Sequence, residues 1–228
     1  YKKKYNLKIG VVNFDPMPKM FFNKKLKNFR LSNIDQKIKL LSNLKVDFVI
    51  TKKFDKKFSK TKALNFIIQI LNNKLNSKFI FVSNNFRFGN KREGNVKLLI
   101  NYEKLFSYKV IKPEPLIRSR KVVSSSLIRN LLEKGFLDKA NNLLNRNWTI
   151  QGIVEKGRQL GKKIGFPTCN IDIQDYVLAR PGVYAVKVLR KNSNKYLKGI
   201  ANLGYRPTFN QKKLLLEVHL FNFSGNLY

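Results

Sequence analysis

The hydrophobic pattern changes character near residue 147, and this change constrains the fold more than any other feature of the chain. Before that point, short apolar runs alternate with segments whose apolar residues recur at helical spacing. This alternation predicts an α/β domain with a doubly wound parallel sheet. From Trp148 onward the helical period disappears, and strand-like runs follow over 149–154, 182–189, 196–204 and 214–223. These runs predict a small all-β barrel. The predicted domains are 1–146 and 147–228.

The α/β domain shows the expected order of elements and places polar residues where its strands end. Apolar runs predict strands, and apolar residues at helical spacing predict helices. The predicted strands are 9–14, 46–50, 79–83 and 108–113, and the predicted helices are 33–44, 62–75, 96–106, 124–136 and 137–146. Asn33 is the expected N-cap of its helix, and Gly135 is the expected C-cap of the helix over 124–136. Ligands of such sheets bind at the carboxyl ends of strands, where Asp15-Pro16 and Asn84-Asn85 are expected.

Composition limits the classes of protein to consider. The chain has one cysteine, Cys169, so an intrachain disulfide is excluded and a cytoplasmic location is the default expectation. One cysteine and one histidine, His219, do not suffice for a structural zinc site. No apolar run reaches the roughly 18–20 residues that span a bilayer, so we expect no membrane partner.

The net charge of +34 admits two interpretations. Such a charge is typical of proteins that bind nucleic acid. However, lysine is spread over the whole chain among many Asn, Ile and Phe residues, which indicates a bias in residue usage. Because no nucleic-acid-binding motif accompanies the charge, we expect no specific nucleic-acid partner.

A glycine-rich basic stretch over 157–165 is a candidate phosphate-binding loop. Its glycines are Gly157, Gly161 and Gly165, and its cations include Arg158, Lys162 and Lys163. Glycines let backbone N–H groups approach a phosphate, and the cations offset its charge. The stretch is neither a P-loop nor a dinucleotide fingerprint. Taken alone, glycines and lysines in a lysine-rich chain are more typical of a solvated turn than of a nucleotide site.

Thr168 and Asn170 follow this loop and indicate a metal site. In an extended segment, residues two apart point to the same face. A hydroxyl and an amide oxygen are suitable ligands for Mg²⁺, which shares its coordination with substrate phosphates. Cys169 then points to the opposite face and is expected to be buried.

Glu217 is the candidate catalytic residue. It lies in a strand-like run, LLLEVHLFNF, on the same face as Leu215, His219 and Phe221. Because glutamate is depleted in strands, its presence favours a general base, although a surface carboxylate remains an alternative. We expect His219 to be a structural or surface residue.

The segment SSSLIR at 124–129 is a candidate anion site. Hydroxyl groups and free N–H groups at a helix start attract phosphate, and Arg129 follows within about a turn. A simple N-cap is the alternative interpretation, and the segment alone favours it.

Several motifs resemble those of bacterial bifunctional riboflavin kinase/FAD synthetases (FMN adenylyltransferases). In the C-terminal half these are GRQLGKKIGFPTCN, RPGVYAVKV, ANLGYRPTF and LEVHLFNFSGNLY. In the N-terminal half they are NFDPMP, NNFRFGNKREGN and VVSSSLIRNLLEKGFLDKANNLLNR. The motifs occur in the family's order over nearly the whole chain, which makes the resemblance specific.

For the C-terminal half, the resemblance implies transfer of the γ-phosphate of ATP to riboflavin, giving FMN. The ATP phosphates would lie under the loop that contains Gly157, Arg158, Gly161, Lys162 and Gly165. Thr168 and Asn170 would hold Mg²⁺, and Glu217 would deprotonate the ribityl hydroxyl. Arg206, with Pro207 and Thr208, would lie near the substrate pocket.

For the N-terminal half, the resemblance implies transfer of AMP from ATP onto FMN, giving FAD and pyrophosphate. Ser125, Ser126 and Arg129 match the phosphate-binding helix start of the family. Asn85 and the turn 84–89 match its nucleotide and flavin loop, and Asp15 with Pro16 matches its FDPHP strand end.

The chain also departs from the family pattern. It lacks the first strand with the HxGH motif and the segment expected after the C-terminal strand, and Met17 stands where the family's FDPHP motif has histidine. We therefore expect a sequence truncated at both ends, or else a degenerate N-terminal domain, and no FAD synthesis by the chain as written. The alternatives in function are a basic nucleic-acid-binding protein and a flavin binder without catalysis.

Overall fold

The computed structural model describes residues 1–155, 165–173, 175–191, 193–208 and 211–225, and the structural statements below concern these residues. The chain divides into two compact units. The N-terminal unit comprises Tyr1–Asn23 and Val46–Val123, and the C-terminal unit comprises Lys24–Lys45 and Ser124–Tyr228. The predicted division between 1–146 and 147–228 as catalytic domains stays a prediction.

Helices and strands alternate in the first half of the chain, and strands follow in the second. The helices are α1 (Lys2–Tyr5), α2 (Pro18–Phe22), α3 (Ile34–Asn43), α4 (Lys56–Ser59), α5 (Ala63–Phe66, continued as a π-helix over Ile67–Lys74), α6 (Val96–Asn101), α7 (Glu103–Phe106), α8 (Ser125–Glu133) and α9 (Leu137–Leu144). A 3₁₀ turn covers Asn90–Arg92. The strands are β1 (Gly10–Asp15), β2 (Phe48–Lys53), β3 (Phe79–Phe81), β4 (Arg87–Phe88), β5 (Gly94–Asn95), β6 (Lys109–Ile111), β7 (Ile117–Arg118), β8 (Lys121–Val122), β9 (Val154–Glu155), β10 (Thr168–Asp172), β11 (Gly182–Leu189), β12 (Tyr196–Thr208) and β13 (Gln211–Leu220).

The N-terminal unit contains two parallel strand pairs. β1 pairs with β2, and β3 pairs with β6, each in parallel. Apolar residues of the helical segments cover them, and Ile67 and Leu99 are fully buried in this core. Asp15 is the last residue of β1, and the turn with Asn84-Asn85 follows β3, as the sequence predicts. The two pairs are separate sheets in the described residues, so a single doubly wound sheet stays a prediction.

The helix ends follow the capping signals of the sequence. Asn33 caps α3 as predicted, because its side chain accepts a hydrogen bond from the Gln36 N–H and the Gln36 side chain accepts one from the Asn33 N–H. Ser124 caps α8, and its hydroxyl accepts a hydrogen bond from the Leu127 N–H at 3.2 Å. Gly135 follows α8 with a φ of 81°, a value that favours glycine.

The described strands of the C-terminal unit form one antiparallel sheet of five strands, in agreement with the strand-like runs predicted after Trp148. The order of the five strands is β11-β12-β13-β10-β9. Cys169, Ala201 and Val218 lie side by side on one face and are buried. The predicted strand over 149–154 is confined to Val154 and Glu155. Closure of the sheet into a barrel stays a prediction.

The segment 24–45 packs within the C-terminal unit, although the sequence places it among the elements of the α/β domain. Its backbone pairs with the loop after β10, where the Arg30 N–H donates to the Asp175 carbonyl and the Val177 N–H donates to the Arg30 carbonyl, each at 2.8 Å. The Trp148 indole N–H donates to the Leu31 carbonyl at 3.0 Å. Long-range hydrogen bonds of this kind leave no periodic signal in the sequence.

Tyr176 joins this segment to the chain that leads into β9. Its hydroxyl lies 2.8 Å from Gln36 Oε1 and accepts a hydrogen bond from the Gln151 N–H at 3.0 Å. The side chain is 3% exposed, and burial raises the pKa of its hydroxyl. Tyr176 is therefore a hydrogen-bonded contact between three separate parts of the C-terminal unit.

We expect Tyr176→Phe to lower the free energy of unfolding by about 1–2 kcal/mol, because it removes hydrogen bonds that buried groups cannot replace with water. Chemical denaturation measures this change. Tyr196→Phe is the matched control, since Tyr196 is 60% exposed, and should change stability by less than about 0.5 kcal/mol. Equal effects of the two substitutions would contradict the role given to Tyr176.

No helix of the described ranges is both long and apolar enough to cross a membrane.

Candidate active site

A row of polar side chains crosses four neighbouring strands of the C-terminal sheet. Asn170 on β10 lies opposite Glu217 on β13 and, on its other side, opposite Glu155 on β9. Glu217 in turn lies opposite Asn202 on β12. Directly paired residues of antiparallel strands share a face, with Cβ atoms about 4.5–5.5 Å apart. We call Glu155, Asn170, Glu217 and Asn202 the polar row.

Thr168 lies beside the polar row on the same face. It precedes Asn170 by two residues and is paired with His219, which follows Glu217 by two residues. The period of two therefore puts Thr168, Asn170 and Glu217 on one face. The strand register thus brings together the hydroxyl, the amide and the carboxylate that the sequence identified separately.

The residues between them point to the other face. Cys169 is 5% exposed and packs with Val218, which confirms the expected burial. Burial raises the pKa of the Cys169 thiol, so the neutral form is favoured. Burial does not alternate along β10, because Asn170 on the side of the candidate site is buried as well as Cys169. The two residues are placed on opposite faces by the period of two of the strand and not by a difference in exposure.

Asn170 carries an unsatisfied polar atom. The residue is 6% exposed, and its Oδ1 is buried with no hydrogen-bond partner among the residues that the structure describes. A buried amide oxygen without a partner costs roughly 1–3 kcal/mol. A cation or a donor group of a ligand would offset this cost. Asn170 Oδ1 is therefore the atom of the C-terminal unit that most directly indicates a ligand.

Glu217 is half-buried, next to Asn170 in the sheet. Its neighbours along the strand are apolar, and Val218 is buried in the core. The strand backbone on both sides of Glu217 is paired, with β10 and with β12, so the position of its Cα is set by two ladders. A carboxylate held in this way can receive a proton from a hydroxyl that binds over the same face.

The candidate phosphate loop lies mostly outside the described residues. Gly157, Arg158, Gly161 and Lys162 belong to the part that the structure does not describe, so their predicted contact with ATP stays a prediction. Gly165 is described and has a φ of 84°, and a Cβ at this position would meet no atom of the described residues within 4 Å. This backbone conformation favours glycine, and it leads the chain into β10 through Phe166 and Pro167.

The other predicted site residues, among them Arg206 and Asn85, do not belong to the polar row. Arg206 is on β12, with its Cα opposite that of Lys213. Asn85 lies in an exposed turn of the N-terminal unit, where its Oδ1 accepts a hydrogen bond from the Ser83 hydroxyl at 2.9 Å. Gly89 in the same loop has a φ of 76°, and a Cβ there would meet the Ala63 backbone nitrogen at 2.7 Å. The loop thus requires glycine at this position.

Ser125 and Ser126 lie in the exposed first turn of α8, and Arg129 lies one turn further. Arg129 Nε donates to the Phe29 carbonyl at 2.7 Å, and its guanidinium lies 3.7 Å from the centre of the Phe29 ring. Burial lowers the pKa of this guanidinium. Arg129 therefore anchors the segment 24–45, a role that sequence reasoning missed, and its contact with phosphate stays a prediction.

Sequence reasoning also missed two members of the polar row. Glu155 and Asn202 flank Asn170 and Glu217 in the sheet. Asn202 lies within the motif ANLGYRPTF, and Glu155 precedes GRQLGKKIGFPTCN by two residues, but neither motif indicated a place beside Asn170 or Glu217. Only the strand register puts them in the row. The period-two alternation of the strand-like runs indicates on which face of the strand each residue lies. It does not indicate which residue of the neighbouring strand lies opposite.

Comparisons with known proteins show the family of the chain. Residues 1–127 match the FAD synthetase family, and residues 144–228 match the riboflavin kinase family. The two matches define a two-domain enzyme of flavin nucleotides as the class of protein. The chain belongs to the family of bifunctional riboflavin kinase/FMN adenylyltransferases, which confirms the resemblance of its motifs.

Individual relatives support this membership. The chain is 40% identical to the bifunctional riboflavin kinase/FMN adenylyltransferase of Buchnera aphidicola subsp. Schizaphis graminum over 99% of this chain and 73% of the relative. It is 42% identical to the Haemophilus influenzae protein of the same description, over 98% of this chain and 72% of the relative. A crystal structure from Streptococcus pneumoniae described as a macrolide-efflux protein has a TM-score of 0.81 and 25% identity, covering 100% of this chain and 73% of that one.

Proposed function

We propose that the C-terminal unit phosphorylates riboflavin with ATP to give FMN, and that the N-terminal family region transfers AMP from ATP onto FMN to give FAD. The observation that carries the kinase assignment is the polar row, in which Asn170 lies opposite Glu217 and its buried Oδ1 has no partner in the described part of the chain. The family match over 144–228 and the descriptions of the relatives support the same reaction.

Glu217 is the proposed general base. In the proposed reaction it accepts the proton of the riboflavin 5′-hydroxyl. The hydroxyl oxygen then forms a bond to the γ-phosphorus, the bond from that phosphorus to the bridging oxygen breaks, and ADP leaves. Phosphoryl transfer depends chiefly on position and charge neutralisation. The paired backbone around Glu217 supports such a fixed position.

Thr168 and Asn170 would hold Mg²⁺ in this proposal. The residues fit the ion, because a hydroxyl and an amide oxygen are hard donors and Asn170 Oδ1 lacks a partner in the described part of the chain. When bound, the ion neutralises charge on the ATP phosphates. Gly165 supports a close approach of the backbone to those phosphates, and Arg158 and Lys162 are expected to contribute positive charge.

The adenylyltransferase assignment depends on the family match over 1–127, and it replaces the expectation from the sequence that the chain as written makes no FAD. Asn85, Ser125, Ser126 and Arg129 are its proposed nucleotide and phosphate contacts. In this reaction an FMN phosphate oxygen forms a bond to the α-phosphorus of ATP, and pyrophosphate leaves. The exposed hydroxyl groups at the start of α8 support an anion contact there.

The finer architecture is part of the proposal. The two parallel pairs would belong to one doubly wound sheet, and the five-stranded antiparallel sheet would close into a small barrel. The alternation of strands and helices supports the first statement, and the long paired strands β11 to β13 support the second. The proposed substrates and products are riboflavin, FMN, FAD and ATP, in the cytoplasm, without a specific nucleic-acid partner.

Incubating the protein with riboflavin, ATP and Mg²⁺ tests the kinase assignment. We expect the sum of FMN and FAD to equal the riboflavin consumed, with one ADP formed per riboflavin, and neither product when a chelator removes the divalent ion. Chromatography with fluorescence detection separates riboflavin, FMN and FAD. Absence of both FMN and FAD at every Mg²⁺ concentration would refute the kinase assignment, and FAD in the same samples would support the adenylyltransferase.

A further inference from the structure

His219 contacts the backbone that leads into the candidate metal site. Its Nδ1 lies 2.8 Å from the carbonyl oxygen of Pro167, the residue immediately before Thr168. Because a carbonyl oxygen only accepts hydrogen bonds, Nδ1 carries the proton. This side chain is therefore a hydrogen-bond donor to the chain at the point where β10 begins.

The contact lies where the strand ladder ends. The pairing of β10 with β13 begins at Thr168, which is opposite His219. Pro167 has no N–H and cannot donate a ladder hydrogen bond. The imidazole instead engages the Pro167 carbonyl just outside the ladder. The bond thus extends the connection between the two strands by one residue toward the glycine-rich loop.

The orientation of the imidazole is restricted by two aromatic rings. Phe166 and Phe221 contact it edge to face, with ring centres 5.5 and 5.8 Å away. Phe166 is 61% exposed and Phe221 is 48% exposed, so neither ring belongs to the core. Edge-to-face contacts between aromatic rings are favourable, so these two rings limit the orientations of the imidazole.

We propose that His219 is a positioning residue for the metal–nucleotide site. Through the Pro167 carbonyl it holds the start of β10, so that the Thr168 hydroxyl stays on the face of Asn170 and Glu217. His219 itself touches no reacting atom in this proposal. The inference rests on the proposed kinase function for its catalytic consequence, but the positioning of β10 can be measured without catalysis.

The test compares variants that differ in the position of the donor. In His219→Asn the amide nitrogen is as many bonds from Cβ as Nδ1, so the hydrogen bond to Pro167 is retained. In His219→Gln the amide is displaced by one bond, and in His219→Leu the donor is removed. Phe221→Leu is the matched control, because it removes a flanking ring and keeps the donor.

Two readouts are measured on each variant. One is steady-state kinetics with ATP·Mg²⁺ and riboflavin varied separately. The other is amide hydrogen exchange of the β10 peptide, which reports on the strand whether or not the protein is active.

For His219→Leu and His219→Gln we expect kcat/KM for ATP·Mg²⁺ to fall about 10-fold, as for other residues that orient a ligand of a metal. The KM for riboflavin should change little, and exchange at the start of β10 should become faster. His219→Asn should resemble the wild type in both readouts. Phe221→Leu removes one of the two rings that orient the imidazole but keeps its donor, so it should lose less than His219→Leu in both readouts. This pattern separates a positioning role from general packing.

Three results would overturn the inference. These are unchanged kinetics and exchange in the leucine and glutamine variants, an asparagine variant as impaired as the glutamine variant, or an equal loss in Phe221→Leu. If the leucine variant does not fold, the comparison of asparagine with glutamine decides. If the wild type makes no FMN, the proposed function fails, and the exchange data alone decide whether His219 holds β10.

Discussion

Glu217→Gln is expected to lower the turnover number for FMN formation by about 1,000-fold, within the range that a general base contributes. The amide has nearly the shape of the carboxylate but cannot accept the proton of the riboflavin hydroxyl. The ladders that hold Glu217 between Asn170 and Asn202 should remain intact, so the KM for ATP should change little. Steady-state kinetics with both substrates measures the two effects separately.

The matched control is Glu155→Gln, because Glu155 is the other carboxylate beside Asn170. It removes a negative charge from the same row without removing the proposed base. A carboxylate near the surface that does not act as the base should change the activation free energy by about 1 kcal/mol or less. The rate should therefore change by no more than about fivefold. A large loss in Glu155→Gln with a small loss in Glu217→Gln would reverse the assignment of the base.

Asn170→Leu is expected to reduce kinase activity by about 100-fold without lowering the stability of the protein. Leucine has a shape similar to that of asparagine but offers no oxygen to a metal ion. The Asn170 Oδ1 is buried without a partner in the described residues. Removing it should therefore leave the free energy of unfolding unchanged or raise it by about 1 kcal/mol. Denaturation without ligands and FMN formation at several Mg²⁺ concentrations measure the two effects.

Asn170→Asp is the counterpart of this variant. It retains an oxygen ligand, so activity should be restored at raised Mg²⁺ concentration. It also adds a negative charge between Glu155 and Glu217, which should destabilise the protein without ligands, since like charges repel across strands. An inactive aspartate variant, or a leucine variant that is both active and unstable, would indicate that Asn170 has a structural role alone.

Much of the local structure could be predicted because it depends on residues close in sequence. The alternating pattern of 182–189 predicts a strand whose bounds match β11. Asn33 and Gln36 predict the start of α3 through their mutual hydrogen bonds. The spacing of Thr168 and Asn170 is enough to predict their common face. In each case the pattern that allows the prediction repeats or spans within four residues, although the pairing partners of β11 lie farther along the chain.

The long-range arrangement could not be predicted in the same way. The register of β10 against β9 and β13 depends on hydrogen bonds between distant segments, so the sequence did not indicate that Glu155 flanks Asn170. Arg129 shows the same limit. The family resemblance implies a phosphate contact for Arg129, whereas the folded chain engages it with the carbonyl and the ring of Phe29.

The central claim is that Thr168 and Asn170 hold a magnesium–nucleotide complex on the face that carries Glu217. A crystal structure of the protein with ADP, Mg²⁺ and FMN tests this claim most directly. We expect the ion at about 2.0–2.1 Å from the Asn170 Oδ1 and from the Thr168 hydroxyl, with the Glu217 carboxylate facing the flavin phosphate. An ion and nucleotide bound away from this face, with the Asn170 Oδ1 still without a partner, would contradict it.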